Sequence, residues 1–228
     1  MPNAKSRRLF ARARLAWLLS GGLALACLGC GSEQAPAVNE LSLAAQAGQV
    51  RIGKTDRIVV THHLVTDGDL TPLAGLDRLR ELDLSRTRLS DASAGGLSSL
   101  VGLQALALGD TTFTDAALRA LRPLSELVRV RLASSQFTDA GLDALAAFPQ
   151  LQLLRLGSPQ ISDAGMPAIC RLRHLRFVIL SGSRIGDASL PQLAALPELE
   201  SLYIEDTQAT EAGIARLLKA RPDLHVHW

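Results

Sequence analysis

Acids recur in this chain at a fixed step of 24 residues: Asp67, Asp91, Asp115, Asp139, Asp163, Asp187 and Glu211. The residues before them are Thr66, Ser90, Thr114, Thr138, Ser162, Gly186 and Thr210. A column of carboxylates could ligate calcium, which takes 6–8 oxygens and often several carboxylates at once. Each 24-residue unit offers only one acid, and neighbouring units are spaced by about 5 Å on a strand side. A hydroxyl followed by an acid, ahead of an Ala/Leu-rich run, is instead a helix start. The hydroxyl accepts a free backbone N–H, worth about 1 kcal/mol, and the acid sits at the positive end of the helix. The acids therefore read as structural, and no metal is assigned to them.

Other groups able to do chemistry are few. His62 and His63 fall in the first unit and His225 and His227 in the last, roughly 30 Å apart at strand spacing, so they cannot share one metal. His225 and His227 share a strand face, but no third ligand accompanies them. His174 stands alone in a loop. Cys170 has no partner for an internal disulfide beyond the leader and reads as a small buried apolar residue. No glycine-rich phosphate loop follows a strand, and no Ser-His-Asp set is apparent. Neither an enzyme nor a cofactor is expected.

The elements that carry these residues repeat with the acids. Leu79, Leu103, Leu127, Leu151, Leu175 and Leu199 keep the step of 24, as do Ile58, Leu82, Leu106, Val130, Leu154, Val178, Leu202 and Val226. A third column runs Val60, Leu84, Leu108, Leu132, Leu156, Leu180, Ile204 and Trp228, and no insertion breaks the register from 58 to 228. The LxL step turns two leucines to one side of a short strand. The second half of a unit, as in Ala140 to Phe148, spaces Leu142, Leu145 and Phe148 by three, a helix face. Strand then helix, repeated, gives a parallel sheet with right-handed crossovers, and equal units stack into an arc.

The unit LxxLxLxxTxLSDAxxxxL, taken from Leu79 to Leu97, resembles the leucine-rich repeat family, whose units run 20–29 residues. The similarity is greatest to the bacterial variety ending Thr-x-Ile-Thr-Asp-x-Gly-Leu. It implies an α/β leucine-rich repeat solenoid of about seven repeats, an open arc with a parallel β-sheet on the concave face and short helices on the convex face. The position usually held by Asn or Cys is here Thr87, Thr111, Ser135, Pro159, Ser183 and Thr207. Hydroxyls can serve a tight turn in the same way, and Ser158 can stand in at Pro159. The expected organisation is residues 1–29 as leader, 30–39 as polar tether, 40–54 as N-terminal cap, and 55–228 as repeats with a capping strand. Within the cap, 40–47 reads as a helix and Val50 with Ile52 as a strand. At the other end Trp228 is expected to cover the core.

The leader carries Lys5, Arg7, Arg8, Arg12 and Arg14 ahead of the apolar run LAWLLSGGLALACLG at 15–29, too short to span a bilayer comfortably. This is the layout of an export signal, and its end resembles the lipobox of bacterial lipoproteins, which implies a lipid-modified thiol. Cys30 is the preferred residue, because Cys-Gly-Ser-Glu resembles a tether start, and Cys27 is the alternative. Neither has the usual Leu three residues earlier. A plain secretory signal is the competing reading, and Ser6-Arg7-Arg8-Leu9-Phe10 weakly resembles a twin-arginine motif. The whole chain has net charge +2; from Cys30 onward it would carry 19 basic and 22 acidic residues, a net −3. That balance gives no reason to expect nucleic acid.

The outward strand positions vary while the core columns do not. Arg129, Arg131 and Arg155 gather beside Leu153, Phe177, Ile179 and Tyr203. Arginine with aromatic neighbours is the composition of binding hot spots. The sequence therefore predicts a monomer in the cell envelope, tethered to a bacterial membrane by its N-terminal lipid on the outward or periplasmic side, or secreted if the lipobox fails. It would bind a protein or other envelope macromolecule through its concave sheet. The alternatives are an envelope spacer without a specific ligand and, more remotely, a hydrolase.

Overall fold

The structure, a computed structural model, describes residues 42–60, 65–133 and 136–228. Cys27, Cys30, the leader, His62, His63 and Ser135 lie outside the described residues, all of which belong to the unit Glu40–Trp228. Eight short parallel strands form one open sheet in chain order: β1 (Arg57–Val59), β2 (Glu81–Asp83), β3 (Ala105–Ala107), β4 (Arg129–Ala133), β5 (Leu153–Gly157), β6 (Phe177–Ile179), β7 (Ser201–Tyr203) and β8 (His225–His227). Every pairing has a register of 24, as in Val130↔Leu154 and Leu154↔Val178. The expected α/β solenoid with a parallel sheet and short helices is the fold observed.

The leucine columns form a continuous core. Leu82, Leu84, Leu103, Leu108, Leu127, Leu151, Leu154, Leu156, Leu175 and Leu180 are fully buried. Phe113, Phe137 and Phe148 are its largest fully buried side chains. Burying one such side chain contributes about 1.5–3 kcal/mol. A unit alone cannot cover both faces of its leucines, so each depends on its neighbours.

The segments opposite the strands are helical but tighter than the sequence implied. Asp67–Leu73 and Asp139–Ala147 are 3-10 helices, and Asp91–Ser93 and Asp163–Gly165 are 3-10 turns leading into one α-turn each. The spacing of three at Leu142, Leu145 and Phe148 is the reason. A 3-10 helix has three residues per turn, so these positions eclipse and all point inward. All three are buried. The longest true α-helix among the described residues, Glu211–Ala220, closes the series.

Both ends differ from expectation. Helix formation runs on from Leu43 to Arg51, with Ser42 as its cap, so Val50 belongs to a helix and not a strand. Val50 is buried, whereas Ile52 is 64% exposed. The pairing a strand would have made is replaced by Gln46, whose amide accepts from Val59 N–H at 2.8 Å and donates to Val59 C=O at 2.7 Å. Trp228 does not cover the core: it is 60% exposed, and Val226 takes the partly buried place.

The recurring acids are clips between repeats. Each carboxylate reaches forward 23 residues to the hydroxyl residue of the next unit. Asp139 Oδ1 accepts from Ser162 N–H at 2.8 Å and Oδ2 from Ser162 Oγ at 2.6 Å. Asp115 does the same with Thr138 at 2.9 and 2.6 Å, and Asp91 with Thr114 at 2.8 and 2.5 Å. Asp67 holds Ser90, and Asp187 holds Thr210. The sequence reading assigned these acids to the start of their own helix. They stand there, but their oxygens are spent on the neighbour. The hydroxyls do cap as expected at Ser90, Thr114, Ser162 and Thr210, where the oxygen also accepts from an N–H of its own helix. One hydroxyl thus donates across the repeat boundary and accepts within its repeat.

Where a participant is missing, another replaces it. Gly186 has no hydroxyl, and Asp163 takes its N–H together with the Ser189 hydroxyl, three residues further on. Residue 43, one step before Asp67, is Leu43, and Asp69 supplies the carboxylate to Thr66 N–H and hydroxyl instead. The turns show the same substitution. Thr87, Thr111, Ser183 and Thr207 donate to the carbonyl three residues back. At Pro159 that bond is not replaced in kind: buried Ser158 donates instead to Phe137 C=O of the preceding repeat at 2.7 Å.

Candidate binding surface on the concave sheet

The strand register sets the outward residues in rows. One row runs Arg57, Glu81, Ala105, Arg129, Leu153, Phe177, Ser201 and His225. The next runs Val59, Asp83, Ala107, Arg131, Arg155, Ile179, Tyr203 and His227. The sequence-predicted cluster therefore does gather on adjacent strands β4 to β7. Arg131 and Arg155 are direct cross-strand partners, and so are Ile179 and Tyr203.

The charge along these rows is uneven. Towards β1, opposite charges interlock: Glu81 Oε1 lies 3.2 Å from Arg57 Nε, and its Oε2 lies 3.5 Å from an Arg129 terminal nitrogen. The second contact spans two strand spacings, passing over Ala105. Ala105 and Ala107 are both fully buried although they point outward. Small residues between Glu81 and Arg129, and between Asp83 and Arg131, let the longer side chains close above them. This roof is a feature the sequence reading missed. Its signal was present as two alanines set between opposite charges in both rows.

At β4 and β5 two cations meet as well. Arg131 and Arg155 set two guanidinium groups side by side, both half-buried. Burial, and then the Arg155 cation, push the Arg131 guanidinium below its ordinary value, against the upward pull of Asp83. Like charges opposite one another destabilise a sheet. Towards β8 the surface turns apolar and aromatic. Phe177 and Ile179 are half-buried, and the Arg176 guanidinium lies 5.8 Å from the Phe177 ring centre. Tyr203 stacks on His227 with ring centres 4.2 Å apart and planes within 1°. Leu153 takes a different place from its neighbours: it is only 4% exposed, in register between Arg129 and Phe177.

The remaining chemical candidates are scattered. His174 pairs with Glu198 at 3.0 Å on an exposed edge. Cys170 packs partly against the core, and burial raises its thiol above the ordinary value. Among the described residues, no three His, Cys, Asp or Glu side chains are grouped to hold a metal, and no helix is long and apolar enough to cross a membrane.

No family model matches the chain, and no curated protein sequence matches it. Solved structures do. Internalin C2 of Listeria monocytogenes is 30% identical with a TM-score of 0.53, over 65% of this chain and 62% of that one. Internalin F of the same organism is 19% identical with a TM-score of 0.53, over 79% and 63%. The fold is a leucine-rich-repeat solenoid. The chain spans less than two thirds of the length of either internalin.

Proposed function

We propose that this leucine-rich-repeat chain is a binding protein and not an enzyme. It is exported, tethered to a bacterial membrane through a lipid on Cys30, or on Cys27 as the alternative, and binds a protein through its concave sheet. The observation that carries the binding reading is the gathering of Arg131, Arg155, Ile179 and Tyr203 along one row of outward residues, beside the interlocked Arg57, Glu81 and Arg129 of the next row. The acids, by contrast, are occupied by neighbouring repeats. Likeness to internalins, which are leucine-rich-repeat proteins, supports a binding role. The export reading rests on the basic, apolar and Cys-Gly-Ser-Glu succession of the leader.

The test is affinity capture from an envelope extract with the wild-type chain and with Arg131→Glu combined with Tyr203→Ala, both checked for unchanged circular dichroism and melting. Species retained by the wild type are expected to fall about tenfold or more with the double variant, the size of a hot-spot loss. Identical profiles overturn the concave-face reading. Membrane fractionation of Cys30→Ala and Cys27→Ala, made separately, tests the anchor. Release by Cys30→Ala alone is expected, and lipidation of both variants overturns the assignment.

A further inference from the structure

We infer that His225 and His227 form half of a zinc site and that a second copy of the chain supplies the other half, so that one ion joins two molecules through four imidazoles. The inference goes beyond the binding reading and does not depend on it.

The strand sets the pair. Residues i and i+2 of β8 face the same side, from backbone positions about 6.7 Å apart. Both histidines are exposed, while Val226 between them packs against the core. Two imidazoles at this spacing can lean onto one ion, which takes each nitrogen at about 2.0–2.1 Å.

Each ring is held by a different device. His225 Nδ1 lies 3.4 Å from Glu200 C=O, the carbonyl that also accepts from His225 N–H at 3.0 Å. A carbonyl only accepts, so this contact puts the proton on Nδ1 and leaves the Nε2 lone pair for a ligand. Metal-binding imidazoles are oriented in this way, with one nitrogen on a carbonyl and the other on the metal. His227 lies flat on Tyr203, ring centres 4.2 Å apart. The stack occupies a ring face and leaves the in-plane nitrogens open. The register partners of the two histidines are Ser201 and Tyr203, and Phe177 and Ile179 come next in the same rows. None of the four is a cation, so the rows here do not repel a metal ion as Arg129, Arg131 and Arg155 would.

Two nitrogens leave the ion unfinished. Among the described residues no third ligand is grouped with them, and the nearby Glu200 carboxylate is engaged by Arg176. A structural zinc site closes at four ligands. A two-fold axis through the ion makes the contact isologous and brings the same two imidazoles again. Trp228, 60% exposed and next in the chain to His227, offers the copies an apolar contact at the same place, and Trp is enriched at such interfaces. Imidazole donors suit zinc, whereas magnesium and calcium take oxygen ligands.

The probe is zinc chloride added to the full chain, followed by light scattering after gel filtration and by calorimetric titration. A metal-free monomer is expected to become a dimer holding one zinc per two chains. A chelator should reverse it, and magnesium or calcium should leave the monomer unchanged. His225→Ala and His227→Ala should each weaken zinc-driven dimerisation about tenfold or more, with unchanged circular dichroism. His174→Ala, and His62→Ala combined with His63→Ala, should leave it intact. Tyr203→Ala should weaken it by a smaller factor, because the His227 ring loses its stack, and Tyr203→Phe should restore it. Dimerisation that survives both histidine substitutions overturns the inference. So does zinc bound without a dimer, a dimer indifferent to the chelator, or no response to zinc.

Discussion

Two charged regions of this solenoid follow opposite rules. Along the turn between strand and helix, carboxylates from Asp67 to Asp187 each have donors supplied by the chain. Where a donor is absent the structure recruits another, as Ser189 does for Gly186. On the concave face, one strand away, Arg131 and Arg155 are set against each other. The first region is regular from repeat to repeat; the second is irregular and sets two cations on neighbouring strands. Regular charge marks what the scaffold needs in every repeat. Irregular charge lies at positions free of core duty, where the columns do not fix the residue.

The largest test of this contrast is removal of a clip. Asp139→Ala leaves Ser162 N–H and hydroxyl without acceptors at a partly buried boundary. A hydrogen bond to a charged group is worth about 1.5–3 kcal/mol, so a loss of about 2–4 kcal/mol in urea unfolding is expected. Asp143→Ala, an exposed acid paired only with Arg171 at 3.0 Å, should cost under about 0.5 kcal/mol. Equal losses would show that the recurring acids are no more structural than any surface charge. In a solenoid the lost term couples neighbouring units, so Asp139→Ala should also broaden the transition.

A smaller effect comes from the glycine that makes room for the clip. A Cβ on Gly141 would lie 2.0 Å from Asp115 Oδ1 and 2.9 Å from its Cβ; one on Gly165 would lie 2.5 Å from Asp139 Oδ1. At Gly141 and Gly165 the carboxylate of the preceding repeat lies where a Cβ would stand, whereas the equivalent Ser93, Ala117 and Ser189 carry a Cβ beside their own clips. Gly141→Ala should cost about 1–3 kcal/mol, the usual effect of overpacking. Combined with Asp115→Ala it should cost less than the sum of the two single losses, since the collision disappears with the acid. Additivity within about 0.5 kcal/mol would remove the clip as the reason for the glycine.

The sequence made the frame legible because the step of 24 places the same residue in the same environment in every unit. Leucine columns, parallel strands and the hydroxyl turns could be read from it, though Ser158 at Pro159 bonds the preceding repeat and not its own turn. The acid's true partner was also written there, as Ser or Thr 23 residues after Asp, but helix-start patterns are local and drew the reading to the nearer explanation. The ends were misread because a repeat pattern holds only while a neighbour exists on both sides. Val50 and Trp228 sit where one neighbour is missing, and local helix formation and exposure prevail there. On the concave face the register placed Arg131, Arg155, Ile179 and Tyr203 together, as the column positions implied. Burial of Leu153, Ala105 and Ala107 depends on how far flanking side chains reach, and column positions do not encode that.

The smallest test uses pH at the last clip. Thr210 N–H, then its hydroxyl, hold the Asp187 carboxyl below its usual 3.8, with Arg216 Nη2 at 2.9 Å adding to the effect. A carboxyl depressed on folding stabilises the protein above its unfolded value, and that contribution fades as pH falls through the lower folded value. Wild type should therefore exceed Asp187→Asn in stability at neutral pH. The difference should be intact down to about pH 5 and shrink steadily below about pH 4. Val101→Ala, at an exposed apolar side chain, carries the opposite expectation: its difference from wild type should stay flat over that range, because no charged group is removed. Urea melts of the three chains at stepped acidic pH would separate the two behaviours. A difference for Asp187→Asn that stays constant to the acid limit would mean that its charge contributes nothing to the boundary. The clip would then hold by shape alone, as the column of small residues beneath it does.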